Sequence, residues 1–175
     1  MTLDEIKEHN STYYNEADEE IWKQRKILTI DGIKVPQYIY NGQSDPLDHS
    51  TAIYNYISDK KQSFEGKKFL DIGTCAGINN ILLTKAGFEV VGLDNSIYSL
   101  NASLYTMKLN DVYYKVVHGD HNDISKMNYD VLIVNQMDYI PGFMAEMRPI
   151  FKKERDRGKY VMMSVTRVQD EIPSV

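Results

Sequence analysis

The run Asp71-Ile72-Gly73-Thr74-Cys75-Ala76-Gly77 sits where a short apolar stretch, Lys67–Ile72, gives way to a segment of helical spacing. Gly73 and Gly77 allow a tight turn whose backbone can approach a ligand closely. Asp71 adds a carboxylate at the end of the apolar stretch, which suits a cationic or hydroxyl-bearing group. It does not suit a pyrophosphate: a dinucleotide turn gives this space to the phosphates and the helix N-terminus, and an acid here repels both charges. About twenty residues further on, Val90-Val91-Gly92-Leu93-Asp94 closes a second apolar stretch with a second acid, at the interval where a carboxylate accepts hydrogen bonds from ribose hydroxyls. Ser96 is the expected cap of the helix that follows, which leaves Asp94 for a ligand.

The run DIGTCAG followed by GLDNS resembles the first two motifs of the class I S-adenosylmethionine-dependent methyltransferases: an acid, alternating glycines, then an acid closing the second strand. The resemblance covers roughly Gly66 to Val165. It implies S-adenosylmethionine as cofactor and assigns roles to individual residues. Asp71 would organise the pocket for the methionine amino group, and Gly73, Cys75 and Gly77 would line the methionine part. Asp94 would hold the ribose, and Asn95 would lie against the adenine. Asp120, in His118-Gly119-Asp120-His121, matches the acid that accepts from the adenine amino group, with His121 beside it in the cofactor pocket. Asn135 would face both the methionine part and the acceptor. Cys75 stands where the family has a middle glycine. Nothing next to it in sequence would lower its pKa, so it is expected to be an inert packing residue. The stretch Val134-Asn135-Gln136-Met137-Asp138 lacks the Asn/Asp-Pro-Pro-aromatic signature of many nucleic-acid amino methyltransferases.

Methyl transfer is an in-line displacement at a sulfonium carbon, so the protein mainly positions and desolvates the reactants. A hydroxyl acceptor also needs a general base. Asp138 and His49 are the chosen candidates, with His118 and His121 behind them. His121 with Asp120 and Asp123 falls short of a metal-ligand set, and no metal is expected. The formal net charge is −5, and the basic residues of Lys152–Lys159 are interleaved with Glu154 and Asp156, as on a solvated helix face. With the missing signature, this points to a small-molecule acceptor bearing a hydroxyl or amine, and away from nucleic acid. The alternative is a non-catalytic or partner-dependent S-adenosylmethionine-binding module. A nicotinamide-dependent oxidoreductase is disfavoured by Asp71 and the missing middle glycine.

To position these residues the chain must form an α/β fold, a doubly wound and mainly parallel sheet with helices on both faces. Strands are expected at Lys67–Ile72, Phe88–Asp94, Val112–Asp120, Tyr129–Asn135 and Lys159–Val165, separated by helices over Gly77–Gly87, Ser96–Asn110 and Pro141–Gly158, the last kinked or split by Pro149. Ligands of such sheets bind outside the carboxyl ends of the strands. Residues 1–60 read as a helical and hairpin extension: one charged helical stretch over 2–27, a hairpin turn at Asp31-Gly32 and a helix from Thr51. Its tyrosines (Tyr13, Tyr14, Tyr38, Tyr40) and the Asp45–His49 loop suit a lid. Residues 61–175 form the cofactor core, and the 175 residues make one compact domain overall. Only TRVQDEIPSV follows the fifth strand, so the family's last strands are expected to be missing, and the open edge suits a homodimer. The acidic N-terminus, the single cysteine and the lack of an apolar run near about 20 residues point to the cytoplasm and away from membranes.

Overall fold

The computed structural model describes residues 1–14, 16–37, 39–40, 43–44, 52–135 and 142–164. The amino-terminal elements are α1 (Leu3–Ser11), α2 (Glu16–Lys23), the hairpin β1 (Ile27–Ile30) and β2 (Ile33–Pro36), the short pair β3 (Ile39–Tyr40) and β4 (Gln43–Ser44), then α3 (Ala52–Asp59) and α4 (Lys61–Phe64). The remaining elements alternate: β5 (Lys68–Ile72), α5 (Ile78–Lys85), β6 (Glu89–Asp94), α6 (Ile97–Asn110), β7 (Lys115–His118), β8 (Val131–Asn135), α7 (Phe143–Asp156) and β9 (Tyr160–Ser164).

The last five strands pair in the order β7-β6-β5-β8-β9, all parallel. The order reverses between β5 and β8, which puts the binding crevice of a doubly wound sheet at their carboxyl ends. Residue alternation along the strands divides the core in two. Phe69, Val131 and Ile133 pack with α5 and α6 side chains such as Ile81, Leu83, Leu100 and Met107. Leu70, Ile72, Leu132 and Val134 pack with Phe143, Met147 and Phe151 of α7 on the other face. Val131 to Val134 are wholly buried, each worth roughly 1.5–3 kcal/mol relative to exposure. Asp71 shares the strand face of Phe69 and so points toward α5 and α6.

The expected strands and helices are found with shifted ends. The third strand is shorter than its apolar stretch, so Asp120 lies two residues beyond it. Pro149 neither splits α7 nor ends it. Proline removes the bond to the Ala145 carbonyl, but Ala145 and Pro149 are both exposed, so water can replace the lost donor while Phe143, Met147 and Phe151 hold both halves on the sheet. The charged stretch at 2–27 forms two helices, the first closed by a capping box between Thr2 and Glu5. The hairpin turns at Asp31-Gly32, both with positive φ (48° and 77°), as a two-residue hairpin of this type requires.

Two asparagines tie the amino-terminal elements to the core by imitating backbone. Asn110 of α6 accepts from Lys34 N (2.9 Å) and donates to Lys34 O (2.7 Å). Asn10 of α1 donates to Tyr114 O (2.8 Å) and accepts from Val116 N (3.1 Å), and His9 Nε2 donates to Val116 O (2.8 Å). The outer edge of β7, which would otherwise template another strand, is thereby covered by α1. Asn10→Ala leaves a buried N–H and C=O unpaired and is expected to cost about 3 kcal/mol in urea denaturation. A change below about 0.5 kcal/mol would show that α1 contributes nothing to that edge.

Candidate functional site

The turn after β5 is built from residues in the left-handed region: Gly73 (φ 69°), Cys75 (φ 47°) and Gly77 (φ 77°). Cys75 therefore occupies a conformation that costs a side chain about 1–2 kcal/mol, which is the physical reason a glycine is the usual choice there. Gly73 N donates to Leu93 O (2.8 Å) and Gly77 N to Thr74 O (2.8 Å), so the turn is closed on itself and fastened to β6.

Asp94 is the junction of the site. Its Oδ2 accepts from Cys75 N (3.1 Å) and its Oδ1 from Ser96 N (2.9 Å). One carboxylate thus joins the glycine turn to the start of α6, whose cap is Ser96 as expected. Asp94 is 6% exposed, and burial raises its pKa against the opposing hydrogen bonds from Ser96 and Cys75. Asp71 is 3% exposed, and its Oδ1 has no partner among the described residues. Burial pushes its carboxyl up to about 7; hydrogen bonding from Asn80 and Thr74 opposes the rise, and the nearby Asp94 charge adds to it. Two buried carboxylates that repel each other across a glycine turn form a site that a cation relieves and a second anion aggravates.

Beneath the turn lies a polar cluster that the sequence reading did not find. Asn80 donates to Thr74 Oγ1, and the Ser103 and Tyr114 hydroxyls are hydrogen-bonded to each other. The Tyr114 hydroxyl also faces Thr74 and Asn80. All four side chains are buried. The available signal was polar residues inside apolar helix faces, Asn80 between Ile78 and Ile81 and Ser103 between Leu100 and Met107, but nothing in sequence pairs them with Tyr114.

The other expected residues are placed less tightly. Asn95 is exposed, and His118 Nε2 donates to its carbonyl (3.1 Å), so His118 lies beside the ends of β6 and β7. Asp120 holds its own turn, accepting from Asn122 N (2.7 Å), and Asp123 accepts from Asp120 N (3.1 Å). These carboxylates are thus used locally. His121 Nε2 is 4.0 Å from Glu146 Oε2 of α7. Asn135 ends β8, where its Oδ1 accepts from Ser164 at the end of β9. His49, Asp138, Tyr38 and the Asp45–His49 loop lie outside the described residues. Asp71, Gly73, Cys75, Gly77 and Asp94 are therefore brought together, with Asn95, Asp120 and Asn135 at neighbouring strand ends.

No family model matches the sequence. The chain is 23% identical over 118 residues to a tRNA (uracil(54)-C(5))-methyltransferase of Pyrococcus furiosus, covering 67% of this chain and 28% of that protein. It is 27% identical over 130 residues to a ribosomal protein L11 methyltransferase of Campylobacter lari, covering 67% and 47%. The chain thus spans less than half the length of these curated relatives. Among solved structures it is similar to the Pyrococcus abyssi tRNA (uracil-54, C5)-methyltransferase in complex with S-adenosyl-L-homocysteine, with a TM-score of 0.58 and 20% identity, over 80% of this chain and 33% of that one.

These relatives overturn the expectation of a small-molecule acceptor and no nucleic acid. The missing Asn/Asp-Pro-Pro-aromatic signature speaks to exocyclic amines, whereas the Pyrococcus relative is named for a ring carbon. The charge of −5 is an average over this chain and says nothing of the parts of those longer proteins that it does not match. No helix among the described residues is long and apolar enough to cross a membrane. The chain is thus similar in sequence to named methyltransferases, and its parallel five-stranded sheet has the Rossmann-like fold of the class I S-adenosylmethionine-dependent methyltransferases.

Proposed function

We propose that this chain binds S-adenosylmethionine at the carboxyl ends of β5 and β6 and works as a methyltransferase. The observation that carries this is the pair of buried carboxylates: Asp71, with an oxygen that has no partner among the described residues, and Asp94, which knits the turn to α6. The residues present fit the cofactor. Its sulfonium and ammonium are the charges that an orphaned, repelled Asp71 favours, and its ribose offers hydroxyls to Asp94. A dinucleotide would add phosphates to the same repulsion. Gly73, Cys75 and Gly77 would line the methionine part. Asn95, Asp120 and His121 would serve the adenine side, and Asn135, steadied by Ser164, the acceptor side.

The cofactor supplies an electrophilic methyl group on sulfur, and the chain's own work is to bind, orient and exclude water. For an acceptor that must lose a proton, Asp138 and His49 are the proposed bases. The relatives' names are for tRNA and a ribosomal protein, so the search for an acceptor begins with RNA and protein.

Calorimetric titration with S-adenosylmethionine and S-adenosylhomocysteine tests the reading. Wild type is expected to bind both. Asp94→Ala is expected to weaken both roughly 100-fold, since bonds to a charged acceptor are worth about 1.5–3 kcal/mol each. Failure of wild type to bind either, or competition by a nicotinamide dinucleotide, would remove the proposal.

A further inference from the structure

The turn after β5 is shaped from below as much as by its own glycines. A Cβ on Gly77 would lie 1.9 Å from Tyr114 Oη and 2.8 Å from Ser103 Oγ, and a Cβ on Gly92 would lie 2.8 Å from Thr74 Oγ1 and 3.0 Å from Asn80 Nδ2. The polar cluster is thus packed directly against the backbone of the turn and of β6. Tyr114 is its centre: its hydroxyl meets Ser103, Thr74 and Asn80, while its carbonyl is held by Asn10 of α1. Thr74 and Asn80 in turn adjoin the Asp71 carboxyl and favour its charged form. A chain of contacts therefore runs from α1 through Tyr114 to both the Gly77 backbone and Asp71.

We infer that Tyr114 is a positioning residue for the cofactor turn, its buried hydroxyl setting the height of Gly77 and, through Thr74 and Asn80, the orientation of the Asp71 carboxylate. The inference rests on the S-adenosylmethionine reading and adds a residue that touches neither cofactor nor acceptor. A core tyrosine with only a packing role would need one hydrogen-bond partner. Here the Ser103 hydroxyl is hydrogen-bonded to the oxygen, Thr74 and Asn80 face it, and that oxygen lies closest to where a Cβ on Gly77 would fall. The group is also unsuited to proton transfer, since burial pushes it up to about 12, which leaves orientation as its work. The titratable and charged groups around Asp71 are Asp94 on β6 and Tyr114 itself.

The test is Tyr114→Phe, which keeps the ring and removes only the hydroxyl. Titration well below the unfolding transition is expected to show about a tenfold rise in Kd for both S-adenosylmethionine and S-adenosylhomocysteine. The pH midpoint of binding should move, because Thr74 and Asn80 lose the hydroxyl they face and reorient at Asp71. Ser103→Ala should move both in the same direction by a smaller factor. The ligand-free arm is a double-mutant cycle in urea: Gly77→Ala should be partly rescued in the Gly77→Ala/Tyr114→Phe double variant, because the atom it strikes is gone. Unchanged Kd and pH midpoint in Tyr114→Phe, with wild type binding normally, would overturn the positioning role and leave the cofactor site standing. So would additivity in the cycle. No binding by wild type would instead overturn the cofactor reading, and the positioning role with it.

Discussion

Gly77→Ala is expected to abolish measurable S-adenosylmethionine binding and to lower stability by about 3 kcal/mol. Two causes act at one atom. Gly77 has φ 77°, where a side chain is strained, and its Cβ would fall 1.9 Å from the Tyr114 hydroxyl. Neither the turn nor the tyrosine can move freely. Gly77 N is bonded to Thr74 O, the Gly77 carbonyl accepts from Ile81 N at the first turn of α5 (3.0 Å), and Tyr114 is wedged between Ser103 and the edge held by α1. The strain must therefore displace the turn itself. Glycines in open turns provide the control. Gly66 has a similar φ of 71° and nothing within 4 Å of a built Cβ, so Gly66→Ala should cost only about 1–2 kcal/mol and leave binding unchanged. Denaturation and calorimetry on the two variants would decide the matter. Equal binding by Gly77→Ala and wild type would mean that the turn does not shape the site.

The second large effect is on pH. An isolated aspartate ionises at 3.8 and the folded Asp71 at about 7. Between these values the folded chain holds a proton that the unfolded chain has released. The Asp71 contribution to the stability of the ligand-free protein is thus greatest below the lower value and falls as pH climbs to about 7, by about 4 kcal/mol at the limit, then levels off. Cofactor binding should run the opposite way. A cationic ligand favours ionised Asp71, so below about 7 binding must expel a proton, and affinity should weaken up to about tenfold for each pH unit lost. Titrations in buffers of different ionisation enthalpy would count that proton. Asp71→Asn should flatten the stability profile, because a neutral amide has nothing to ionise, while cofactor affinity falls roughly 100-fold through loss of a buried charge pair. A pH-independent Kd between pH 5.5 and 8 in wild type would show that Asp71 does not sense the ligand's charge.

The contrast between these two residues shows how much was legible beforehand. Asp71 was readable as chemistry because an acid before alternating glycines is an unusual local pattern. Its charge state was not, because that depends on Asp94, Thr74 and Asn80 closing over it. Gly77 was readable as a turn, since only local φ is involved. That its Cβ space is already taken by a tyrosine 37 residues away could not be read from spacing. Asp120 matched a motif position, yet its carboxylate is engaged by the backbone of its own loop, a local competition that aspartate commonly wins. The acceptor was misjudged because overall charge and a missing signature were asked to exclude what only a whole binding surface can exclude.

By itself, the sequence determined the alternation of strands and helices, the parallel α/β class and the two acidic strand ends. Each of these follows from short-range periodicity and from residue types confined to a few neighbouring positions. Tertiary structure alone decided that Asn10 completes the edge of β7, that one carboxylate of Asp94 joins the turn to α6, and that Tyr114, Ser103, Thr74 and Asn80 meet under Gly77. Those arrangements pair groups far apart in the chain, and a buried polar atom is driven to find whichever partner the packed layers bring within reach.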